Sequence, residues 1–283
     1  MNYNIIGSGR LGNNIALAFS TAKLASLQGI YNRSPESAQQ LCSKINTGKV
    51  ISSLSELPPA DITWITCNDD SIASVVANLM EHAQIKPGSF IIHCSGVLNS
   101  AILAPLKKQG CLVASCHPLK AFKTGYLSAD ALLQVDCVME GDAAVCDWLD
   151  FALKQLGANV IRIKPEAKVI YHAAAVIASN YLITLASCSE ALLEQAGISQ
   201  QQARSMMCHL MQGNLDNMQQ AQDLRDALTG PLMRGDIATL ALHLQAIGDP
   251  VVNNLYKAAG LATLPITSLS EEQKQDIANL FGQ

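Results

Sequence analysis

From Met1 to about Lys164, short apolar and β-branched runs alternate with segments of helical period. That alternation is the pattern of a parallel sheet covered by helices. The expected strands are Tyr3–Ile6, Leu27–Tyr31, Ile62–Thr66, Phe90–His93, Leu112–Ser115, Val135–Met139 and Val160–Ile163. After Lys164-Pro165-Glu166 the strand signal ends and helical periodicity continues to the C-terminus. The chain therefore reads as a doubly wound α/β domain over residues 1–164 and an all-α domain over residues 165–283. At 283 residues, two domains is also what length alone favours.

Start and stop signals divide the helical half. Its first helix opens near Pro165 and extends toward Gly197, a residue suited to a C-terminal cap. Ser199-x-x-Gln202 and Ser270-x-x-Gln273 have the form of capping boxes, and Asp236 and Asp249-Pro250 mark further helix starts. The apolar stretch from Ala173 to Ala186 is interrupted by Ser179 and Asn180 and falls short of the ~20 residues that span a bilayer. A buried helix is the expectation. Met206, Met207, Met211 and Met218 lie at helical spacing and are expected in the core.

The first strand leads into Gly7-Ser8-Gly9-Arg10-Leu11-Gly12, and an amphipathic helix follows with Ile15, Leu17, Ala18 and Phe19 to bury. Strand, G-x-G-x-x-G and helix in that order form the Rossmann dinucleotide fingerprint. Glycines allow a tight turn and a close backbone approach, and the helix start offers N–H groups and a positive dipole to a pyrophosphate. Gly9, Arg10 and Leu11 are the expected amide donors. About 20 residues further on, an NAD site carries an acidic residue for the ribose. Here that place holds Tyr31-Asn32-Arg33-Ser34. Arg33 can pair with a 2′-phosphate, and Asn32 and Ser34 can hydrogen-bond it, so NADP(H) is the expected cofactor.

On such a sheet ligands lie beyond the carboxyl ends of the strands. Thr66-Cys67-Asn68 is expected beside the adenosine half of the cofactor, and His93-Cys94-Ser95-Gly96 beside the nicotinamide. Ser115-Cys116-His117-Pro118 ends another strand and makes His117 a candidate proton donor. No metal site is expected, because neighbours in a strand point to opposite faces and His93 and Cys94 cannot easily converge on one ion. Lys168 and His172, with Ser179 and Asn180, mark a polar stripe on the first helix of the second half, and buried polar groups need partners. In Leu228-Thr229-Gly230-Pro231-Leu232-Met233-Arg234-Gly235-Asp236, Arg234 and Thr229 are candidate substrate-binding residues.

Composition narrows the classes. A net charge of −4, no basic cluster and 5% aromatic residues give nucleic-acid binding little support. Nine cysteines in a chain that runs from Met1 straight into a strand predict a soluble cytoplasmic protein with reduced thiols.

On the glycine turn, His93-Cys94-Ser95-Gly96, His117-Pro118-Leu119, Tyr171-His172-Ala173-Ala174-Ala175 with Ser179-Asn180-Tyr181, and Leu228 to Pro231 with Arg234-Gly235-Asp236, the chain resembles a family of Rossmann-fold oxidoreductases. Members of that family carry a C-terminal helical domain of unknown function. More distantly it is similar to pyrroline-5-carboxylate reductase, ketopantoate reductase and the β-hydroxyacid dehydrogenases, and His117-Pro118 is similar to a feature of the prephenate dehydrogenases. The resemblance implies a second domain like the C-terminal domain of 6-phosphogluconate dehydrogenase, NADP(H) use, an active site between the domains and a homodimer through the helical half. β-Hydroxyacid dehydrogenases place asparagine four residues after their lysine, whereas Lys168 is followed at that distance by His172. The expected activity is hydride transfer to or from a small polar, anionic metabolite, with no membrane partner. His172 is the first choice of acid or base, histidine being the side chain that exchanges protons near neutral pH. Ser95 and Asn180 would orient the reacting group, Lys168 would stabilise negative charge, and Arg234 would bind a substrate anion. The alternative reading is a non-catalytic NADP(H)-binding sensor or scaffold.

Overall fold

Eight strands form one sheet, and a computed structural model describes residues 1–123 and 125–282 of the chain. In chain order the elements of the α/β half are β1 (Asn2–Ile6), α1 (Arg10–Thr21), β2 (Ser26–Tyr31), α2 (Pro35–Ile45), β3 (Lys49–Ile51), β4 (Ile62–Ile65), α3 (Asp69–His82), β5 (Phe90–His93), α4 (Ala104–Lys108), β6 (Leu112–Pro118), β7 (Asp136–Gly141), α5 (Ala143–Gln155) and β8 (Asn159–Arg162). Seven of the strands lie where the apolar runs predict them. The eighth, β3, has three residues and is too short to show a period.

Strand order is β3-β2-β1-β4-β5-β6-β7-β8. The sheet is parallel from β3 through β6, whereas β7 runs antiparallel to β6 and parallel to β8. Among the described residues no helix intervenes between Pro118 and Asp136, so that connection returns the chain without the crossover a parallel neighbour needs. Neighbouring residues in a strand feed opposite faces. Ile5, Trp64 and Ile92 join one apolar layer with Ile15, Phe19 and Leu149, while Ile6, Ile65 and Ile91 join the other with Ile72, Leu79 and Leu103. Both faces are covered, which is why these strands read as unbroken apolar runs.

The helical half comprises α6 (Lys168–Gln195), α7 (Gln200–Gln220), α8 (Leu224–Ala227), α9 (Pro231–Arg234), α10 (Ile237–Ala246), α11 (Pro250–Thr263) and α12 (Glu271–Gly282). Two compact units divide the chain, Met1–Val176 and Ile177–Gln283, so the first turns of α6 belong to the α/β unit. In the second unit Leu240, Leu264, Ile277 and Phe281 form a small core with Tyr256 against it. The expected helix starts are capped: Asp236 accepts from Thr239 N, Asp249 from Val251 N and Val252 N, and Ser270 and Gln273 cap each other's backbone N–H. Ser199 instead donates to the Gln202 side chain.

The expectation of a buried first helix is corrected. Lys168 is the one buried residue of α6, and Val169, Ile170, Ile177 and Ile183 are 65%, 71%, 62% and 69% exposed. Apolar residues surround this helix instead of forming a stripe, and periodicity cannot say what covers them. Pro165–Gln195 also has the length and composition of a membrane-spanning helix, longer than the run from Ala173 suggested. Its Lys168 ammonium, however, is hydrogen-bonded into the α/β unit. The methionine expectation is corrected too: Met207 is buried, whereas Met206 and Met218 are exposed.

Candidate active site

The three glycines of the first turn divide two jobs among them. Gly7 has φ +109°, and a Cβ there would lie 2.7 Å from Cys67 N. A Cβ on Gly12 would collide with Gly7 O and stand 2.5 Å from Thr66 Oγ1. A Cβ on Gly9 would meet nothing within 4 Å. Gly7 and Gly12 thus let β1, β4 and α1 pack closely, while Gly9 keeps open the face a phosphate would approach. Gly9 is the N-cap of α1, without a side-chain cap, and no acidic residue sits in the first turn. The leading N–H groups of α1, from Arg10 and Leu11 onward, therefore remain for an anion.

Ser8 sits in this turn with its hydroxyl buried and without a hydrogen-bond partner among the described residues. Its N–H donates to Asn32 Oδ1 at 3.2 Å, and Asn32 Nδ2 donates to Ser34 O at 2.8 Å. The Asn32 amide, expected to bind a phosphate, is engaged in bracing the glycine turn against the end of β2. The Ser34 hydroxyl donates to the Glu36 carboxylate. Arg33 is exposed and forms no ion pair among the described residues. It lines a cleft of about 430 Å³ with Gly7, Gly9, Ser52, Cys67 and Asn68.

A second cleft of about 660 Å³ continues past Gly9, Arg10, Leu11, Cys67 and Asn68 to Lys120 and Phe122. The segment after β6 that forms its far wall went unnoticed in the sequence. Arg10 donates to Phe122 O at 3.1 Å. Asn14, fully buried on α1, donates to Tyr126 O and accepts from Ser128 N, both at 2.9 Å. Lys120 donates to Ala131 O and lies 5.1 Å from the centre of the Tyr126 ring. A polar residue on the inner face of α1, beside Ile15 and Ala16, was the available signal for Asn14.

Beyond the ends of β5 and β6 lies the titratable cluster. Lys168, 1% exposed, donates to Ser95 O at 2.7 Å and to Ser115 Oγ at 2.8 Å. Burial lowers its pKa, against the pull of the buried Glu140 carboxylate and nearby thiols. Glu140 accepts from Ser100 N and Ser100 Oγ at 2.8 and 2.7 Å. His93 accepts from Ser95 N on Nδ1 and therefore donates from Nε2 to Asn99 O at 3.2 Å, and burial lowers its pKa to about 4. The Ser95 hydroxyl turns back into its own loop, accepting from Val97 N and Leu98 N. Segment 93–100 is thus held by His93, Lys168 and Glu140.

Gly96 lies within that segment, and two rings meet over it. A Cβ there would be 2.5 Å from His172 Nδ1 and 3.0 Å from His117 Cε1. The rings of His117 and His172 stand edge to face at 5.9 Å, and His117 Nδ1 is 2.8 Å from Tyr171 Oη. Burial, then the charge of Lys168 and His172, lowers the His117 pKa to about 4. His172 Nδ1 is buried without a hydrogen-bond partner among the described residues. Of the residues singled out for catalysis, Ser95, His117, Lys168 and His172 are therefore together in the first unit. Asn180, Thr229 and Arg234 belong to the second unit, where each is exposed. Sequence reasoning gave no role to Tyr171, Ser115 or Glu140. Tyr171 was within sight beside His172, whereas Ser115 and Glu140 are buried strand residues whose roles depend on Lys168 and Ser100 far away in the chain.

Two family models match the chain, a Rossmann-like domain over residues 1–118 and a domain of unknown function (DUF2520) over residues 135–263. Among curated proteins none matches. A candidate NADP oxidoreductase from Bacteroides fragilis has a similar structure, with TM-score 0.75, 20% identity, 92% of this chain and 96% of that one covered. A protein from Thermotoga maritima aligns at TM-score 0.70 and 24% identity over 99% and 100% of the two chains. The pyrroline carboxylate reductase of Plasmodium falciparum, solved with NADP bound, aligns at TM-score 0.59 and 15% identity over 99% and 98%. At these identities the likeness is one of fold. The Rossmann-like match and the DUF2520 match follow one another along the chain in the order that the sequence motifs imply.

Proposed function

We propose that this chain is an NADP(H)-dependent reductase or dehydrogenase acting on a small polar, anionic metabolite. The observation that carries the reading is the division of labour among Gly7, Gly9 and Gly12, which leaves an open, amide-lined approach at the second glycine only. β1, β4, β5 and β6 are neighbouring parallel strands, so the glycine turn and the residues after β5 and β6 share one edge of the sheet. Bound there, the nicotinamide supplies or accepts a hydride. His172 is the first choice to move the accompanying proton, with His117 beside it. Lys168 is committed to Ser95 O and Ser115 Oγ, and serves as a fixed positive charge under the cluster. Asn180, Thr229 and Arg234 would hold the substrate, Arg234 at its anionic group. The meeting of His117 and His172 over Gly96 supports an enzyme over a binding module.

The test is thermal denaturation of the full chain with NADPH or NADH, repeated with a metabolite panel, because ligands stabilise the native state by mass action. NADPH is expected to raise the melting temperature more than NADH does. Arg33→Ala is expected to weaken NADPH binding about tenfold or more and to leave NADH binding unchanged, a pairing worth roughly 1.5–3 kcal/mol with a charged partner. Equal binding of the two cofactors by the native chain would refute the role of Arg33. The exposed apolar residues of α6 support a homodimer through the helical half. Light scattering is expected to report twice the 30.1 kDa chain mass, and Ile177→Glu is expected to return the monomer.

A further inference from the structure

We propose that Tyr171 is a positioning residue for this site: its hydroxyl donates to His117 Nδ1 and fixes the neutral imidazole in the tautomer that carries its proton on Nε2. The inference rests on the reductase reading for its purpose, and on the geometry alone for its content.

The contact is 2.8 Å, and the two rings stand edge to face at 5.9 Å. A tyrosine hydroxyl can donate or accept, and so can a neutral imidazole nitrogen. The two directions are not equivalent here. If Nδ1–H donated to Tyr171 Oη, the phenolic proton would have solvent as its acceptor, none lying among the described residues, and Nε2 would face outward as an acceptor instead of a donor. If Tyr171 donates, the phenol and Nδ1 satisfy each other with one bond. His117 Nε2 then carries the proton, and it has neither a partner among the described residues nor a place among the buried unpartnered atoms. It is left to donate to something outside the chain.

The electrostatic setting favours a neutral ring. Besides Tyr171, the titratable groups facing His117 are Lys168, whose ammonium lies 6.0 Å from the Tyr171 ring centre, and His172. Both Lys168 and His172 oppose a second positive charge on His117. Cys116, Cys137 and Asp136 act on Tyr171, and burial, its largest influence, pushes the phenol up to about 12. The phenol therefore keeps its proton and shares it as a donor. A neutral Nε2–H is a donor suited to a carbonyl or imine as it gains electron density, without a full proton having to leave the ring first. Tautomer control of this kind is set by whatever the other ring nitrogen binds.

The experiment is ¹⁵N NMR of the full chain with ¹⁵N-labelled histidine at pH 7, with the His117 resonances assigned by their loss in His117→Asn. The expected spectrum has an unprotonated Nδ1 and a protonated Nε2. In Tyr171→Phe, which keeps the ring, both tautomers are expected in exchange. A native His117 with its proton on Nδ1, or a tautomer population unchanged in Tyr171→Phe, would overturn the proposal. The spectrum of the native chain decides the first point even if the variant does not fold. None of these readouts requires NADP(H), so a failed cofactor titration counts against the functional reading and not against the tautomer.

Discussion

Gly12→Val is expected to abolish both NADPH binding and a large part of the fold's stability, while Gly9→Ala is expected to cost chiefly binding. At Gly12 the atoms a Cβ would meet are the Gly7 carbonyl oxygen and Thr66 Oγ1, and Thr66 Oγ1 already donates to that same carbonyl at 2.6 Å. Backbone cannot step aside as a flexible side-chain tip can. Overpacking a tight interior contact costs typically about 1–3 kcal/mol, and a valine forced between β1, β4 and α1 belongs at the upper end. For a chain of this size that is a drop in melting temperature of about 5 °C or more. Gly9 has φ −84° and ψ −164°, backbone that alanine adopts without strain, and its Cβ would point into open space. Unliganded Gly9→Ala should melt within about 3 °C of the parent, since Gly exceeds Ala as an N-cap by about 1 kcal/mol. Its NADPH-induced shift should shrink to a small fraction. Differential scanning fluorimetry of both variants, with and without NADPH, separates the cases. A Gly9→Ala chain with the full NADPH shift would remove the pyrophosphate from this turn, and a Gly12→Val chain with parental stability would refute the packing account.

What could be read beforehand follows the range of the interactions involved. The β-sheet was legible because both of its faces are buried, so Ile5, Ile6, Trp64 and Ile65 must all be apolar. The glycine turn was legible because its roles depend on neighbours a few residues away. The bracing role of Asn32 was not legible because its partner is Ser8 N, after the neighbouring strand, and an amide at a strand end looks the same whether it braces a loop or awaits a phosphate. Lys168 stood out as a polar residue in an apolar run, yet its bonds to Ser95 O and Ser115 Oγ span 73 and 53 residues. The exposure of α6 was illegible for a deeper reason. An apolar sequence states that a surface is to be covered, not which chain covers it.

The same limit applies to the histidines, and it leads to the second large effect, on stability against pH. His93 closes β5 and His117 is the last residue but one of β6, and nothing local separates them. In the structure His93 is fully buried, with both ring nitrogens engaged, whereas His117 keeps Nε2 without a partner among the described residues. Both have folded-state pKa values near 4, against 6.5 for the ordinary side chain. The folded chain therefore binds fewer protons than the unfolded chain between those limits, and stability must fall as the pH falls. The contribution is complete above pH 6.5 and is lost progressively down to about pH 4. A displacement of this size corresponds to about 3 kcal/mol for a fully buried group, of which about 2 kcal/mol has gone by pH 5. The range from pH 7 to 5 isolates the imidazoles, because Asp61, Asp142 and Asp236 are held below the ordinary carboxylate range and stay ionised there. Urea unfolding at pH 7 and pH 5 is expected to show that loss. Glutamine can donate to Asn99 O and accept from Ser95 N without taking up a proton. His93→Gln should thus be somewhat less stable at pH 7 yet lose about 2 kcal/mol less between pH 7 and 5. An unchanged loss in His93→Gln would mean that His93 is not held neutral by its burial, and the account of segment 93–100 as a braced wall of the site would fall with it.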